Sequence, residues 1–302
     1  MLNTVDIELI GSCNYSCAMC PQGNPGRDSD FLKALPQSLF ENIIDQTVEL
    51  GARNVRLHGS GEPTLCKYLS EAVAYCTHRG LKTEITTNGA RLNRYLIEQL
   101  VQAGLDDITV SVIGATEQDY LLWMNSHDYH TVKRNIKLYN SISTKPANMY
   151  HLITPKSTAQ HYKTNWLEQV GGTCEIWQMH NWSGAYDNLI YPRSGQKRTC
   201  GRPFDPVLTV RAGGHREHKG AVVPCCMTLG NDKDAVIGHL DTHSVKTIWN
   251  NKTYNSLRVA HKTENWDSIS YCKNCDQLYQ SQDTLIYTNR KDIEYGRPKY
   301  LD

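Results

Sequence analysis

The chain has 302 residues, 39% hydrophobic and 21% charged, with a net charge of +1, a balance that excludes a disordered or fibrous protein and offers no basic tract for nucleic acid. No apolar run reaches membrane-spanning length, and the opening residues lack the basic start and apolar stretch of a secretory signal, so a cytoplasmic protein without a membrane partner is expected. In a reducing compartment the 11 cysteines are read as metal ligands before they are read as disulfides.

Over the first 180 or so residues, short β-rich runs alternate with helical patterns. Strands are predicted at Val5–Ile10, Asn54–His58, Lys82–Thr86, Asp107–Val112, Met149–Ile153 and Glu175–Met179. Between them, apolar residues recur at three- and four-residue spacing, as in Leu39, Ile43, Ile44 and Val48, or Leu96, Leu100 and Val101. Gly51, Gly80 and Gly104 follow three of these stretches, where a left-handed residue ends a helix. Repeated strand–helix units imply a parallel sheet with right-handed crossovers. Six units suit an α/β fold built as an open, partial (βα)6 TIM-like barrel.

After Tyr191 the texture changes. Pro192, Arg193, Ser194 and Gly195 read as a linker, the strand–helix alternation stops, and cysteines gather between Cys200 and Cys275. One helical stretch is expected from Val245 to His261, and the charged segment from Asn289 to Asp302 reads as a peripheral extension. The predicted division is a barrel over 1–191, a small cysteine-rich domain over 192–288 and an extension over 289–302.

Cys13, Cys17 and Cys20 form C-x3-C-x2-C directly after the first strand, at the end of the barrel where βα-barrel chemistry sits. Three thiolates hold three corners of a four-iron cluster and leave one iron open to an outside ligand. Zinc with a distant fourth ligand is the competing reading, although structural zinc usually shows paired knuckles. Gly59-Ser60-Gly61-Glu62-Pro63 follows the second strand and Thr86-Thr87-Asn88-Gly89 ends the third. Each alone is an ordinary turn; their order behind the cysteine triplet is specific.

In these segments the chain resembles the radical S-adenosylmethionine (radical SAM) superfamily. The resemblance implies a [4Fe-4S] cluster on Cys13, Cys17 and Cys20, with the amino and carboxylate groups of S-adenosylmethionine (SAM) chelating its open iron. Met19 stands where the family usually carries an aromatic residue against adenine. Gly61 and Glu62 belong to a GGEP-like motif, with Ser60 replacing a glycine, that would hold the SAM ammonium. Thr87 and Asn88 match a segment near the ribose and methionine, and Ser111 a polar position that reaches SAM.

Cys200, Cys225, Cys226, Cys272 and Cys275 form a second constellation, which by ligand type could bind structural zinc. It resembles the auxiliary-cluster modules called SPASM and, in shortened form, Twitch. That resemblance extends through Val222-Val223-Pro224-Cys225-Cys226, Ile237-Gly238-His239-Leu240 and Ile248-Trp249-Asn250. With no cysteine after Cys275, one auxiliary [4Fe-4S] cluster is expected, on Cys200, Cys272, Cys275 and one of the adjacent Cys225 and Cys226, of which Cys225 is taken as the ligand.

Family membership implies cleavage of SAM to a 5′-deoxyadenosyl radical, which abstracts hydrogen from a substrate C–H bond. The arrangement is similar to single-auxiliary-cluster enzymes of the butirosin-pathway 2-deoxy-scyllo-inosamine dehydrogenase type. The leading expectation is therefore oxidation of a hydroxyl on a sugar or aminocyclitol, with the electron passed to the auxiliary cluster. The alternative is a peptide maturase or an epimerase, with Cys226 as the thiol that returns hydrogen. Only 12 residues precede Cys13, so no leader-binding domain is expected ahead of the barrel. A flavodoxin- or ferredoxin-like protein is the expected electron donor. His180, Asn181 and Arg193 could line the substrate mouth, without an assigned base among them.

Overall fold

The computed structural model describes residues 2–21, 28–186, 195–230, 233–279 and 285–291. Six parallel strands run in chain order across one sheet: β1 (Thr4–Ile7), β2 (Asn54–Leu57), β3 (Lys82–Thr87), β4 (Asp107–Ser111), β5 (Asn148–Leu152) and β6 (Thr173–Trp177). All six match predicted strands, with ends displaced by up to three residues, the largest at β1, which stops at Ile7 rather than Ile10. The helices between them are α1 (Gln37–Glu49), α2 (Leu69–His78), α3 (Arg94–Gln102), α4 (Glu117–Met124) and α5 (Tyr129–Ile142). Before β6 come α6 (Ala159–Tyr162), a π-helical turn and α7 (Glu168–Val170). Their buried stripes, such as Phe40, Ile43, Ile44 and Thr47 of α1, cover the outward face of the strands. The strands answer with Val5, Ile7, Val55, Leu57 and Ile85, all fully buried. Gly51, Gly80 and Gly104 take φ of 96°, 74° and 88°, as their place after helices requires.

The inward-facing residues of the same strands are polar. Asp6, Arg56 and Glu84 lie side by side in register across β1, β2 and β3. Strand alternation then puts Thr109, Asn148 and Glu175 on the same inner side, where with Arg56 and Glu84 they border one cavity.

Strand–helix alternation does stop after β6, but the sheet does not. A seventh strand, β7 (Val207–Arg211), pairs parallel to β1, and β8 (Ala221–Val223) and β9 (Gly238–His239) extend that edge antiparallel. At the other edge β10 (Leu285–Thr288) lies antiparallel to β6. The cysteine-rich region is thus continuous with the barrel sheet. The helix expected over Val245–His261 is two helices, α8 (Val245–Trp249) and α9 (Lys252–Lys262). The break follows from Asn251, whose side chain accepts from the Tyr254 amide at 2.8 Å and starts α9 afresh. Asn289 and Arg290 are not peripheral: Asn289 Oδ1 accepts from the Cys174 amide at 2.8 Å and Arg290 pairs with Glu175 at 3.3 Å. Arg193, the 191/192 boundary and the extension beyond Lys291 lie outside the described residues. Among the described residues no helix is long and apolar enough to cross a membrane.

Candidate active site

A cavity of about 530 Å³ opens at the C-terminal ends of the strands and reaches down the polar inner face of the barrel. Cys13, Cys17, Met19 and Cys20 border it, as do Gly61, Glu62, Thr87, Asn88 and Ser111. The residues singled out in four separate sequence segments therefore meet in one space.

The cysteine loop is held from several sides. Cys20 N donates to Cys17 O at 3.0 Å, closing a turn, and Ala18 N donates to Trp123 O at the end of α4. Asn88 Nδ2 donates to Asn14 Oδ1 at 2.9 Å, tying the loop to the Thr87-Asn88 turn. Burial pushes the Cys13 thiol up to about 11 and the Cys17 thiol further, so in bare protein these sulfurs keep their protons. Iron supplies the charge that draws such protons off.

Glu62 is buried and joins two of the motifs. One carboxylate oxygen accepts from Thr64 N, Thr64 Oγ1 and Thr87 Oγ1, the last at 2.6 Å; the other accepts from Asn88 N at 2.8 Å. Burial raises its pKa, while these four donors pull against that rise. Gly61 is required by closeness: a Cβ there would lie 1.9 Å from the Ile10 carbonyl oxygen. Four donors already lie on the Glu62 carboxylate, so its evident work is to fix the two turns against each other.

Ser60, the departure from a second glycine, has a structural reason that sequence did not disclose. Its hydroxyl and amide both donate to Glu8 Oε2 at 2.6 Å, and its hydroxyl accepts from Arg211 Nη2 at 2.8 Å. Glu8 and Arg211 form an ion pair at 3.3 Å with side chains 1% and 2% exposed. Alternation along β1 could have placed Glu8 inward beside Asp6, but nothing local marked Arg211 as its partner before β7 was seen beside β1.

The second cysteine set also converges. Cys200, Cys225, Cys272 and Cys275 border one small cavity beneath Pro224, Leu257 and Leu278. Cys225 borders both this cavity and the large one, whereas Cys226 borders only the large one. Arg202 Nη1 lies 3.4 Å from Cys226 Sγ as its donor. Burial raises the thiols of Cys200, Cys225, Cys272 and Cys275, that of Cys272 to about 12. None of the 11 cysteines is in a disulfide. Among the described residues no group of three or more His, Cys, Asp or Glu is arranged around a single metal ion. Both sets nevertheless have the soft thiol donors that iron–sulfur clusters take.

Segment 180–186 bridges the two cysteine sets. Trp182 Nε1 donates to Met19 O at 2.6 Å and Tyr186 OH to Cys20 O at 3.0 Å. On its other side Asn181 Nδ2 donates to Asn274 O at 2.8 Å, and Ser183 donates to the Tyr271 carbonyl. Trp182 and Ser183 hold φ of 48° and 58°, left-handed backbone that side-chain-bearing residues seldom adopt without such anchoring. His180 borders the large cavity and burial lowers its pKa to about 3, with Arg202 adding to the effect; Asn181 is buried in the bridge and does not border the cavity.

Comparison with known proteins agrees with this geometry. The radical SAM superfamily model matches residues 7–161, and that of SPASM, an iron–sulfur cluster-binding domain, matches residues 217–276. A probable GTP 3′,8-cyclase of Methanococcus maripaludis is 26% identical over 147 residues, 48% of each chain. PqqA peptide cyclase of Methylocella silvestris is 32% identical over 117 residues, 38% of this chain and 31% of that one. The aligned part is thus less than half the length of either relative. Among solved structures, BtrN in complex with AdoMet and 2-DOIA superposes with a TM-score of 0.61 at 18% identity, covering 95% of this chain and 99% of that one. Streptococcus suis SuiB bound to precursor peptide SuiA gives 0.67 at 16% identity, covering 92% and 70%. At these identities the likeness is one of fold. With the family model spanning half the chain and its motifs gathered at one cavity, the chain belongs to the radical SAM superfamily and is a radical SAM enzyme with a SPASM domain.

Proposed function

We propose that this enzyme oxidises a hydroxyl group of a sugar or aminocyclitol, with the auxiliary cluster as electron acceptor. The observation that carries the reading is the position of Cys225, which borders both the large cavity and the small four-thiol cavity. A ligand at that wall puts the acceptor next to the substrate space. When bound, the two clusters and SAM supply the radical chemistry: an electron that cleaves SAM, a 5′-deoxyadenosyl radical, and a sink for the substrate's second electron.

The chain's own residues hold and orient. Cys13, Cys17 and Cys20 hold the first cluster; Cys200, Cys225, Cys272 and Cys275 hold the second. Gly61, Thr87, Asn88 and Ser111 face SAM, with Glu62 fixing their turns and Met19 packing by adenine. The inner face of the barrel, with Arg56, Glu84, Thr109, Asn148 and Glu175, suits a hydroxylated substrate better than an apolar one. With those groups bound, the net reaction would remove one hydrogen atom, one electron and one proton from the substrate carbinol, the proton passing to a base or water. A flavodoxin- or ferredoxin-like protein delivers the initiating electron.

A second reading rests on Cys226. Cys226 borders the large cavity and not the small one, and a thiol in the large cavity could return hydrogen to the substrate. That would make the enzyme an epimerase, or a maturase acting on a peptide.

Turnover of hydroxyl-bearing aminocyclitols deuterated at the carbinol carbon distinguishes the two. Oxidation gives one deuterated 5′-deoxyadenosine per ketone. Deuterated 5′-deoxyadenosine with the substrate unchanged in oxidation level, carrying solvent hydrogen at the inverted carbon, contradicts it.

A further inference from the structure

We propose that His261 donates a hydrogen bond to the auxiliary cluster and thereby raises its reduction potential. The inference rests on the reading of Cys200, Cys225, Cys272 and Cys275 as that cluster's ligands.

His261 lies on the buried side of α9 with Tyr254 and Leu257. Its carbonyl oxygen accepts from Thr199 Oγ1 at 2.6 Å, which pins the end of the helix beside Cys200. His261 borders the small cavity together with all four of these cysteines. It is only 1% exposed, yet neither Nδ1 nor Nε2 has a hydrogen-bond partner. Buried polar atoms are seldom left that way.

Other polar side chains around the cavity are engaged elsewhere. Ser183 donates to the Tyr271 carbonyl, Arg202 donates to Cys226 Sγ, and Gln277 Nε2 donates to Asp276 Oδ1 at 3.2 Å. A histidine ring carries at least one N–H in either tautomer, so His261 has a donor to offer. A cluster held by the four cysteines would bring sulfur acceptors, its own sulfides and the cysteine Sγ atoms, into the cavity that His261 borders. A donor to sulfur stabilises the reduced, more negative state, and such bonds are among the determinants of cluster potential.

The test uses the full chain with C13A/C17A/C20A, so that only the auxiliary cluster is present, titrated with reductant and followed by electron paramagnetic resonance. H261F keeps an aromatic ring and removes the donor; H261Q restores one. The expected result is a roughly tenfold weaker reduction in H261F, equivalent to about 59 mV for a one-electron couple, with substantial recovery in H261Q. In protein carrying 15N-histidine, a weak nitrogen coupling to the reduced cluster is expected even without a further substitution. Equal potentials in the three proteins, or equal shifts in H261F and H261Q, would overturn the inference, as would absence of the nitrogen coupling. Absence of any cluster on the C-terminal cysteines would overturn the four-cysteine reading and this inference with it; a cluster with an unchanged potential overturns this inference alone.

Discussion

The indole of Trp182 donates to the carbonyl of Met19 at 2.6 Å, so the loop that carries Cys17 and Cys20 is fastened to a segment whose next residue, Ser183, is bonded to Tyr271 beside Cys272. The two cysteine sets are thereby referenced to one rigid piece of backbone. Trp182→Phe keeps the ring and removes the N–H, at a cost of about 1 kcal/mol or a roughly fivefold equilibrium effect. Iron should be lost to a chelator faster from the N-terminal cluster and at an unchanged rate from the C-terminal one, measured in proteins carrying each cluster alone.

Glu8 and Arg211 make the corresponding tie between β1 and β7. Arg211→Met leaves a buried carboxylate without its cation and should cost about 3–5 kcal/mol. The double variant Glu8→Gln/Arg211→Met should recover a large part of that loss, because no charge is then stranded. Urea unfolding of cluster-free protein measures both, and equal stability of the single and double variants would contradict the pairing.

Much of this architecture is legible in sequence because its causes are local. Alternating strands, the Ile43-Ile44 centre of the first helix stripe, and the Gly80 and Gly104 helix ends are written within a few residues of where they act. The first cluster's motifs are equally local, each lying at one strand's end. What escaped depends on contacts between distant segments. Arg211 becomes readable only once β7 lies against β1, and His261 only once α9 has brought it to Cys200. The helix expected over Val245–His261 failed for a different reason: its apolar spacing continues through Asn250-Asn251, but a capping side chain outweighs that periodicity.

Asp6 gives the fold a defined acid limit. Burial alone would raise its pKa, but His58 and Arg56 beside it bring it down to about 2. A depressed carboxylate contributes stability that is complete above its unfolded pKa and fades as pH falls through the folded one. The window here is about pH 4 down to 2, and the contribution at neutral pH is about 2 kcal/mol. Asp6→Asn should lose that amount at pH 7 and flatten the stability profile across the window, followed by denaturant unfolding of cluster-free protein.

Glu62→Gln replaces an acceptor of four hydrogen bonds by a side chain with one oxygen and one donor group. Either the Asn88 amide or the Thr64 and Thr87 donors must then face an N–H. SAM binding to the reconstituted enzyme should weaken by about tenfold or more, corresponding to the loss of one charge-assisted bond and the turn geometry it holds. Equilibrium dialysis checks it, with Thr87→Val expected to give a smaller effect.

Cys225 and Cys226 should separate cleanly. Cys225→Ala should remove the auxiliary cluster and about four irons per chain, while Cys226→Ala should retain them. Iron and sulfide analysis, with electron paramagnetic resonance of the reduced proteins, reads the difference.

The most direct test of the account is the iron, sulfide and zinc content of anaerobically reconstituted protein beside its C13A/C17A/C20A variant. One SAM-binding cluster and one auxiliary cluster predict about eight irons per chain falling to about four, without zinc. Zinc in place of the remaining iron, or loss of all iron with the N-terminal triplet, would contradict it.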